Sequence, residues 1–302
     1  MCTTCGCGNS EHLHQHADGT WHSHVHDGGS THGGEPRYVP RPPMAAHAPS
    51  IRPSRMVQIE QDILAKNAEF AAQNRRYFSD HGIFALNLVS SPGSGKTTLL
   101  VKMIAAWQER TPVAVIEGDQ HTSRDADRVR AAGARAVQIN TGKGCHLDAQ
   151  MVGHALTSLA PSDDSVLLIE NVGNLVCPAA FDLGEAHKVV ILSVTEGDDK
   201  PLKYPDMFRA ADLLLINKID LLPYDEFDVD AAAGYARRVR PELEVLLVSA
   251  QTGAGFGEWL GWLERGLGRA RTRREVGLDL LRRRVAELEA ELERVRSPAH
   301  EA

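Results

Sequence analysis

NLVSSPGSGKTT, Asn87 to Thr98, runs from an apolar strand pattern through a glycine-rich turn into the apolar helix pattern LLVKMIAAW. Such a turn surrounds phosphates with backbone N–H groups, and the helix start behind it adds unpaired N–H groups and partial positive charge. Gly93, Ser94, Gly95, Lys96, Thr97 and Thr98 therefore form the expected phosphate cradle. Lys96 would reach the outer phosphates and the Thr97 hydroxyl would serve Mg²⁺. Ser90 stands where the usual G-x-x-x-x-G-K-[ST] pattern has its first glycine, and the rest of the pattern is intact. The alternative, a chance glycine turn, is disfavoured by the order strand, GSGKTT, helix.

Outward from this loop, apolar runs of strand length recur: FALNLVSS, PVAVIEGD, ARAVQIN, SVLLIENVG, KVVILSVTEG, DLLLINKID and EVLLVSA. The intervening stretches are long enough for helices, which implies βαβ units and a parallel sheet with both faces covered. The expected fold is α/β: a P-loop NTPase with a mostly parallel sheet of about seven strands between helices. Upstream, MVQIEQDILAKNAEFAAQNRRYF has Met56, Ile59, Ile63, Leu64, Ala68 and Phe70 at mostly helical spacing and reads as a helix packed on the domain edge.

Residues 1–53 differ from the rest. Cys2, Cys5 and Cys7 open the chain, and eight of its 14 histidines follow: His12, His14, His16, His22, His24, His26, His32 and His47. Such a segment cannot bury enough apolar surface to offset its ordering entropy, so it is expected to be a disordered Cys/His-rich arm ending in a stiff proline-rich linker. Imidazoles at every second residue in HLHQH and WHSHVH let a flexible chain wrap a borderline metal with several nitrogens. An expression tag or a solvated tail is the plainer reading of that tract. The start of the chain lacks a secretory pattern, so a reducing cytoplasmic setting is expected, where five cysteines point to metal or catalysis rather than disulfides. A net charge of −7 argues against nucleic acid, and no apolar run approaches the ~18 residues of a membrane span.

The nucleotide is read from NKID, Asn217 to Asp220, at the end of a strand. Asp220 would accept from guanine N1 and its exocyclic amine, which adenine cannot satisfy. Asn217 would orient the loop and Lys218 would lie over the base, with Ser249 and Ala250 of VSAQTGAG beside them. The base is therefore guanine and the nucleotide GTP. Asp119 ends a strand and could hold Mg²⁺ directly or through water. Glu170 follows four apolar residues like a Walker-B acid, and Gly173 completes an E-x-x-G analogue of a GTPase switch. Either acid could instead cap a helix. No general base stands out, as suits phosphoryl transfer driven by positioning and charge.

Cys145 and His146 in TGKGCHLD and Cys177 in ENVGNLVCP offer thiolate and imidazole, which Zn²⁺ and Ni²⁺ favour, although buried structural cysteines are the default. At the other end, Leu278, Leu281, Val285, Leu288, Leu292 and Val295 are spaced 3, 4, 3, 4, 3. That pattern fits a short coiled-coil seam or an amphipathic helix lying on the domain. The domains expected are the arm at 1–53, a GTPase domain with its N-terminal helix at 54–268, and the C-terminal helix at 269–302.

Taken together, the amino-terminal C-x-x-C-x-C, the His-rich tract, SSPGSGKTT, GKGCHLDA, LLIENVGNLVCP, SVTEGDDKPLKYP, NKID and VSAQTGAG resemble the hydrogenase nickel-incorporation GTPase family, the HypB type. The resemblance implies a metal-regulated SIMIBI-class GTPase that delivers Ni²⁺ to the large-subunit precursor of [NiFe]-hydrogenase. It further implies a tight nickel site at Cys2, Cys5 and Cys7, and a weaker nickel or zinc site at Cys145, His146 and Cys177 at the interface of a homodimer. Its partner would be a small zinc-containing nickel chaperone, and the His-rich arm would add nickel storage. The alternatives are a urease-type nickel-insertion GTPase and a nickel or zinc buffer with a vestigial GTPase. The seam after residue 275 lies outside the family pattern.

Overall fold

The structure, a computed structural model, describes Leu13–Gln15, Trp21–Ser23 and residues 53–296 apart from 108–109, 120–123 and 143. Cys2, Cys5, Cys7, His12, His16, His24 and His26 lie outside the described residues. Residues 1–53 and 54–302 form two separate units. In the first, β1 (Leu13–Gln15) and β2 (Trp21–Ser23) pair antiparallel, setting His14 opposite His22.

All but the first residue of α1 (Pro53–Asp80) belongs to the second unit, and the helix has proline at its first position, where a missing N–H is harmless. Gly82, at φ +64, ends it, and Ile83 N–H donates back to the Phe78 carbonyl. A Cβ on Gly82 would lie 2.3 Å from Asp164 Oδ1, so this cap requires glycine. The sequence predicts that Ile59 and Ile63 pack inward, yet both are exposed. The helix instead buries Asn67, Ala71, Asn74 and Phe78, a stripe spaced 4, 3, 4. Asn67 Nδ2 donates to Asp182 O and its Oδ1 accepts from Ala149 N, while Asn74 Nδ2 donates to the carbonyls of Ala149 and Leu183. Polar bonding to Ala149 and to the segment at Asp182 and Leu183 holds this helix where an apolar face was expected.

After α1 come β3 (Phe84–Ser90), α2 (Lys96–Trp107), β4 (Val113–Asp119), α3 (Arg124–Ala131), β5 (Arg135–Asn140), α4 (Ala149–Leu159) and β6 (Val166–Glu170). The second half holds β7 (His187–Ser193), α5 (Lys200–Lys203), α6 (Pro205–Ala210), β8 (Leu213–Asn217), α7 (Val229–Val239), β9 (Glu244–Leu247) and α8 (Phe256–Arg296). Short 3₁₀ turns occur at Cys177–Ala179 and Ile219–Tyr224. All seven expected strands are present. They form one sheet in the order β5-β4-β6-β3-β7-β8-β9, every pair parallel, with β3 at the centre. Every residue of β3, β6 and β8 is buried, as strands covered on both faces must be.

On one face, Trp107 of α2 and Trp259, Trp262 and Leu263 of α8 pack with Phe84, Leu86 and Leu88. Gly266 lets α8 close on Phe84, since a Cβ there would fall 2.1 Å from the ring. On the other face, α4 supplies Val152, Leu156 and Leu159 and α6 supplies Met207 and Phe208. Helix α8 runs unbroken through residues 268 and 269, so the expected boundary there falls inside one element. Beyond Ala270 it leaves the core, and Leu281, Val285, Leu288 and Leu292 are exposed rather than laid on the domain.

Candidate functional site

Parallel order places the carboxyl ends of all seven strands along one edge, where open α/β sheets collect ligands. Ser90, Asp119, Glu170, Ser193 and Asn217 are the last residues of β3, β4, β6, β7 and β8. The loop Ser91–Gly95 crosses this edge, with Gly93 at φ +80 and Gly95 at φ +89, and α2 starts at Lys96. Beneath it lies a cavity of about 480 Å³ lined by the loop, Lys96, Thr97, Thr98, Glu117, Asp119, Asp125, Arg128 and the segment Glu170–Gly173.

Thr97 Oγ1 donates to Glu170 Oε1 at 2.8 Å, and Lys96 Nζ lies 3.9 Å from the same oxygen. Burial pulls the Lys96 ammonium down from its ordinary pKa, against the pull of Glu170. Burial also pushes the Glu170 carboxyl up, partly offset by Lys96 and Thr97. Among the described residues, Ser94 Oγ, Glu117 Oε2 and Glu170 Oε2 are buried with no hydrogen-bond partner. Buried acceptors of this kind beside Asp119 suit a divalent cation, because orphaned buried oxygens are costly unless a ligand satisfies them.

NKID braces the loop from the other side. Asn217 Nδ2 donates to Ser94 O at 2.9 Å, and Asn217 Oδ1 accepts from Ala250 N at 3.3 Å. Lys218, left-handed at φ +63, donates from Nζ to Gly93 O at 2.8 Å. Ser249 Oγ donates to Asp220 Oδ1 at 2.5 Å. A Cβ on Gly95 would stand 2.8 Å from Asn217 Nδ2, so glycine there serves both its φ and this brace. Asp220, Ser249 and Ala250 adjoin one another outside the phosphate cavity.

Cys145 and Cys177, 32 residues apart, bring their Sγ atoms within 2.8 Å, and Cys145 Sγ is 3.6 Å from His146 Nδ1. Ligand atoms of the three residues all fall within 4.8 Å of one another. The His146 ring packs 4.0 Å from the Phe181 ring, and burial lowers its pKa despite Asp148, keeping the imidazole neutral and able to donate a lone pair.

Sequence reasoning passed over several groups. Glu117 stands two residues before Asp119 in β4, so strand alternation puts both on one face. Its carboxyl is pushed up to about 8 by burial and by the charges of Glu170, Asp119 and Asp125. Asn171, next to Glu170, accepts at Oδ1 from Leu147 N, directly after His146, and donates from Nδ2 to Asn87 Oδ1. Asn87 donates to Glu185, and Lys188 Nζ donates to the carbonyls of Pro178, Ala179 and Phe181 around the Cys177 turn. Asn174 Nδ2 donates to Cys145 O. Gly173 sits against Pro92 of the phosphate loop, where a Cβ would approach to 3.2 Å. The segment 170–174 thus touches both the phosphate loop and the backbone at Cys145.

Residues 84–247 match the family described as CobW/HypB/UreG, nucleotide-binding domain. The chain is 62% identical over 258 residues to "Hydrogenase maturation factor HypB" of Azotobacter vinelandii, covering 85% of this chain and 84% of that one. Among solved structures, a hydrogenase maturation factor HypB from Archaeoglobus fulgidus matches with TM-score 0.63 and 41% identity, over 67% of this chain and 99% of that one. HypB from Helicobacter pylori in complex with nickel matches with TM-score 0.63 and 40% identity, over 68% and 96%. With a P-loop, an NKID brace and a parallel sheet already in place, these likenesses show that the chain belongs to the CobW/HypB/UreG nucleotide-binding family and, within it, to the HypB hydrogenase maturation factors.

Proposed function

We propose that this protein is a GTP-hydrolysing nickel metallochaperone that delivers nickel for maturation of [NiFe]-hydrogenase. The observation that carries the reading is the adjacency of Glu170, bonded to Thr97 in the phosphate loop, and Asn171, bonded to the backbone just after His146. A nucleotide that moves Glu170 moves the scaffold of the Cys145, His146 and Cys177 site with it, so metal and nucleotide affinities are linked reciprocally.

In this reading the loop N–H groups and Lys96 hold the β- and γ-phosphates, and Asp220 selects guanine. Thr97, Asp119 and Glu170 are the groups suited to Mg²⁺, which when bound neutralises charge developing on the phosphates. Among the described residues no side chain has the placement of a strong base, so hydrolysis is expected to be slow without a partner. Cys145, His146 and Cys177 supply three ligands for Ni²⁺ or Zn²⁺, and nickel in the Helicobacter pylori relative supports nickel as the cargo. Three ligands from one chain favour a metal- or GTP-dependent homodimer that brings two sets together. Cys2, Cys5 and Cys7 form the tight nickel site, the histidines from His12 to His26 store more, and the setting is cytoplasmic. A small zinc-containing nickel chaperone and the hydrogenase large-subunit precursor are the partners.

The test is a nickel titration of the metal-free protein with GDP against a non-hydrolysable GTP analogue. A change in the weaker site's affinity is expected, together with its loss in Asn171→Ala. Identical titrations in both nucleotides would overturn the coupling. Full hydrogenase activity at limiting nickel in a strain lacking the protein would overturn the delivery role, and unchanged nickel stoichiometry after deleting residues 12–32 would overturn storage.

A further inference from the structure

Beyond Ala270, α8 carries an apolar stripe that the core does not use. Leu281, Val285, Leu288 and Leu292 are between 46% and 64% exposed, and Leu278 is 38% exposed. In heptad terms Leu278, Val285 and Leu292 are a positions and Leu281 and Leu288 are d positions. Val276 and Leu280 are on the opposite side of the helix and take no part. The flanks of the stripe are charged in blocks: Arg282, Arg283 and Arg284 come first, then Glu287, Glu289, Glu291 and Glu293. Flanking the seam, Arg282 and Glu289 are e positions, and Arg284 and Glu291 are g positions.

We propose that a second copy of this chain covers the seam, the two α8 helices pairing antiparallel as a short coiled coil. Charge complementarity selects the occupant, since the flanking charges of one copy match those of another. With Val285 opposite Leu288 of the second copy and Leu281 opposite its Leu292, e positions meet e positions and g positions meet g positions. Arg282 then faces Glu289, and Arg284 faces Glu291, each twice by two-fold symmetry. A parallel pair would also bring Arg284 beside Glu289 of the second copy, but it aligns the helix dipoles unfavourably, and it is this term that favours the antiparallel direction. The intrahelical pairs that now hold these arginines, Arg282 to Asp279 and Arg284 to Glu287, are exposed and weak enough to rearrange. This association needs neither nucleotide nor metal, and so stands apart from the dimer proposed at the cysteine site.

Sedimentation of the full chain, with chelator and without nucleotide, tests it. A dimer is expected at micromolar concentration. Leu281→Lys with Leu288→Lys should weaken it at least tenfold while far-UV circular dichroism and GDP binding stay unchanged, since both positions are exposed. Arg284→Glu or Glu291→Arg alone should weaken the dimer, and the two together in one chain should restore it. A wild-type monomer, or a dimer indifferent to the leucine changes, overturns the proposal. Failure of the double charge swap to restore association overturns the antiparallel pairing, because in a parallel pair the Arg284→Glu change sets like charge against Glu289 and the second change does not relieve it.

Discussion

Lys188→Met probes the support beneath the cysteine site. Lys188 is 6% exposed, and its ammonium lies 2.9 Å from Pro178 O, 3.3 Å from Ala179 O, 3.2 Å from Phe181 O and 3.9 Å from Glu185 Oε1. Methionine keeps much of the length and none of the donors. Removing one partner of a buried ion pair destabilises by about 3–5 kcal/mol. Glu185 retains Asn87 Nδ2 at 3.0 Å and Leu183 N at 2.6 Å, and burial already holds its carboxyl above the usual range against the pull of Lys188. Protonation of Glu185 therefore relieves part of the loss, and about 3 kcal/mol is expected at neutral pH. With a urea m-value near 3 kcal/mol/M, the midpoint falls by about 1 M. An acid whose folded pKa is raised loses its stabilising proton as pH climbs, so the deficit should be smaller at pH 5 than at pH 8. Adding Glu185→Gln should recover at least half of the loss. Urea unfolding followed by circular dichroism is the assay, with thiol labelling of Cys145 and Cys177 as a local readout expected to speed up. A midpoint shift below about 0.3 M, or a double variant no more stable than the single one, would refute the reasoning.

Three further outcomes are expected. Gly266→Ala forces a Cβ to within 2.1–2.7 Å of three Phe84 ring atoms, so overpacking of about 1–3 kcal/mol should outweigh the helix-propensity gain of about 1 kcal/mol and lower Tm by several degrees; a raised Tm would show that the ring yields. Gly95→Ala, strained at φ +89 and crowding Asn217, should weaken nucleotide binding at least tenfold by equilibrium titration, and an unaltered Kd would remove the brace from the account. Glu117, ordinarily titrating near 4.5 and here raised to about 8, keeps its proton in the folded state, so native stability should fall as pH climbs through that window. Glu117→Gln should flatten that fall in urea midpoints between pH 5.5 and 8.5, and an unchanged slope would discard the assignment.

Much of the architecture was legible because strand-length apolar runs, once buried on both faces, need no alternation to be recognised, and all seven in this chain became strands. The phosphate loop and NKID were legible because their residue types are dictated by backbone approach and hydrogen bonding. What escaped was polar and non-local. Asn67 and Asn74 stand with Ala71 and Phe78 on the buried face of α1 in place of Ile59 and Ile63, and no periodicity of apolar residues announces an asparagine that bonds a neighbouring backbone. Cys145 and Cys177 leave strands that β4 separates in the sheet, so no strand pairing foretells their contact. Glu117 was concealed inside an apolar run, and Lys188 only acquires a role once the turn at Cys177 folds over it.

The continuity of α8 links two otherwise independent surfaces by angle. Because one rigid helix carries both Trp259 against the sheet and Leu281 in the exposed seam, each residue inserted or deleted between 270 and 278 would swing the seam by about 100° around the helix while leaving the core packing untouched. A seven-residue change would return it to within about 20° of its present direction. Helical phase, more than sequence identity, is thus what relatives with a different length of this segment must preserve to point the seam the same way.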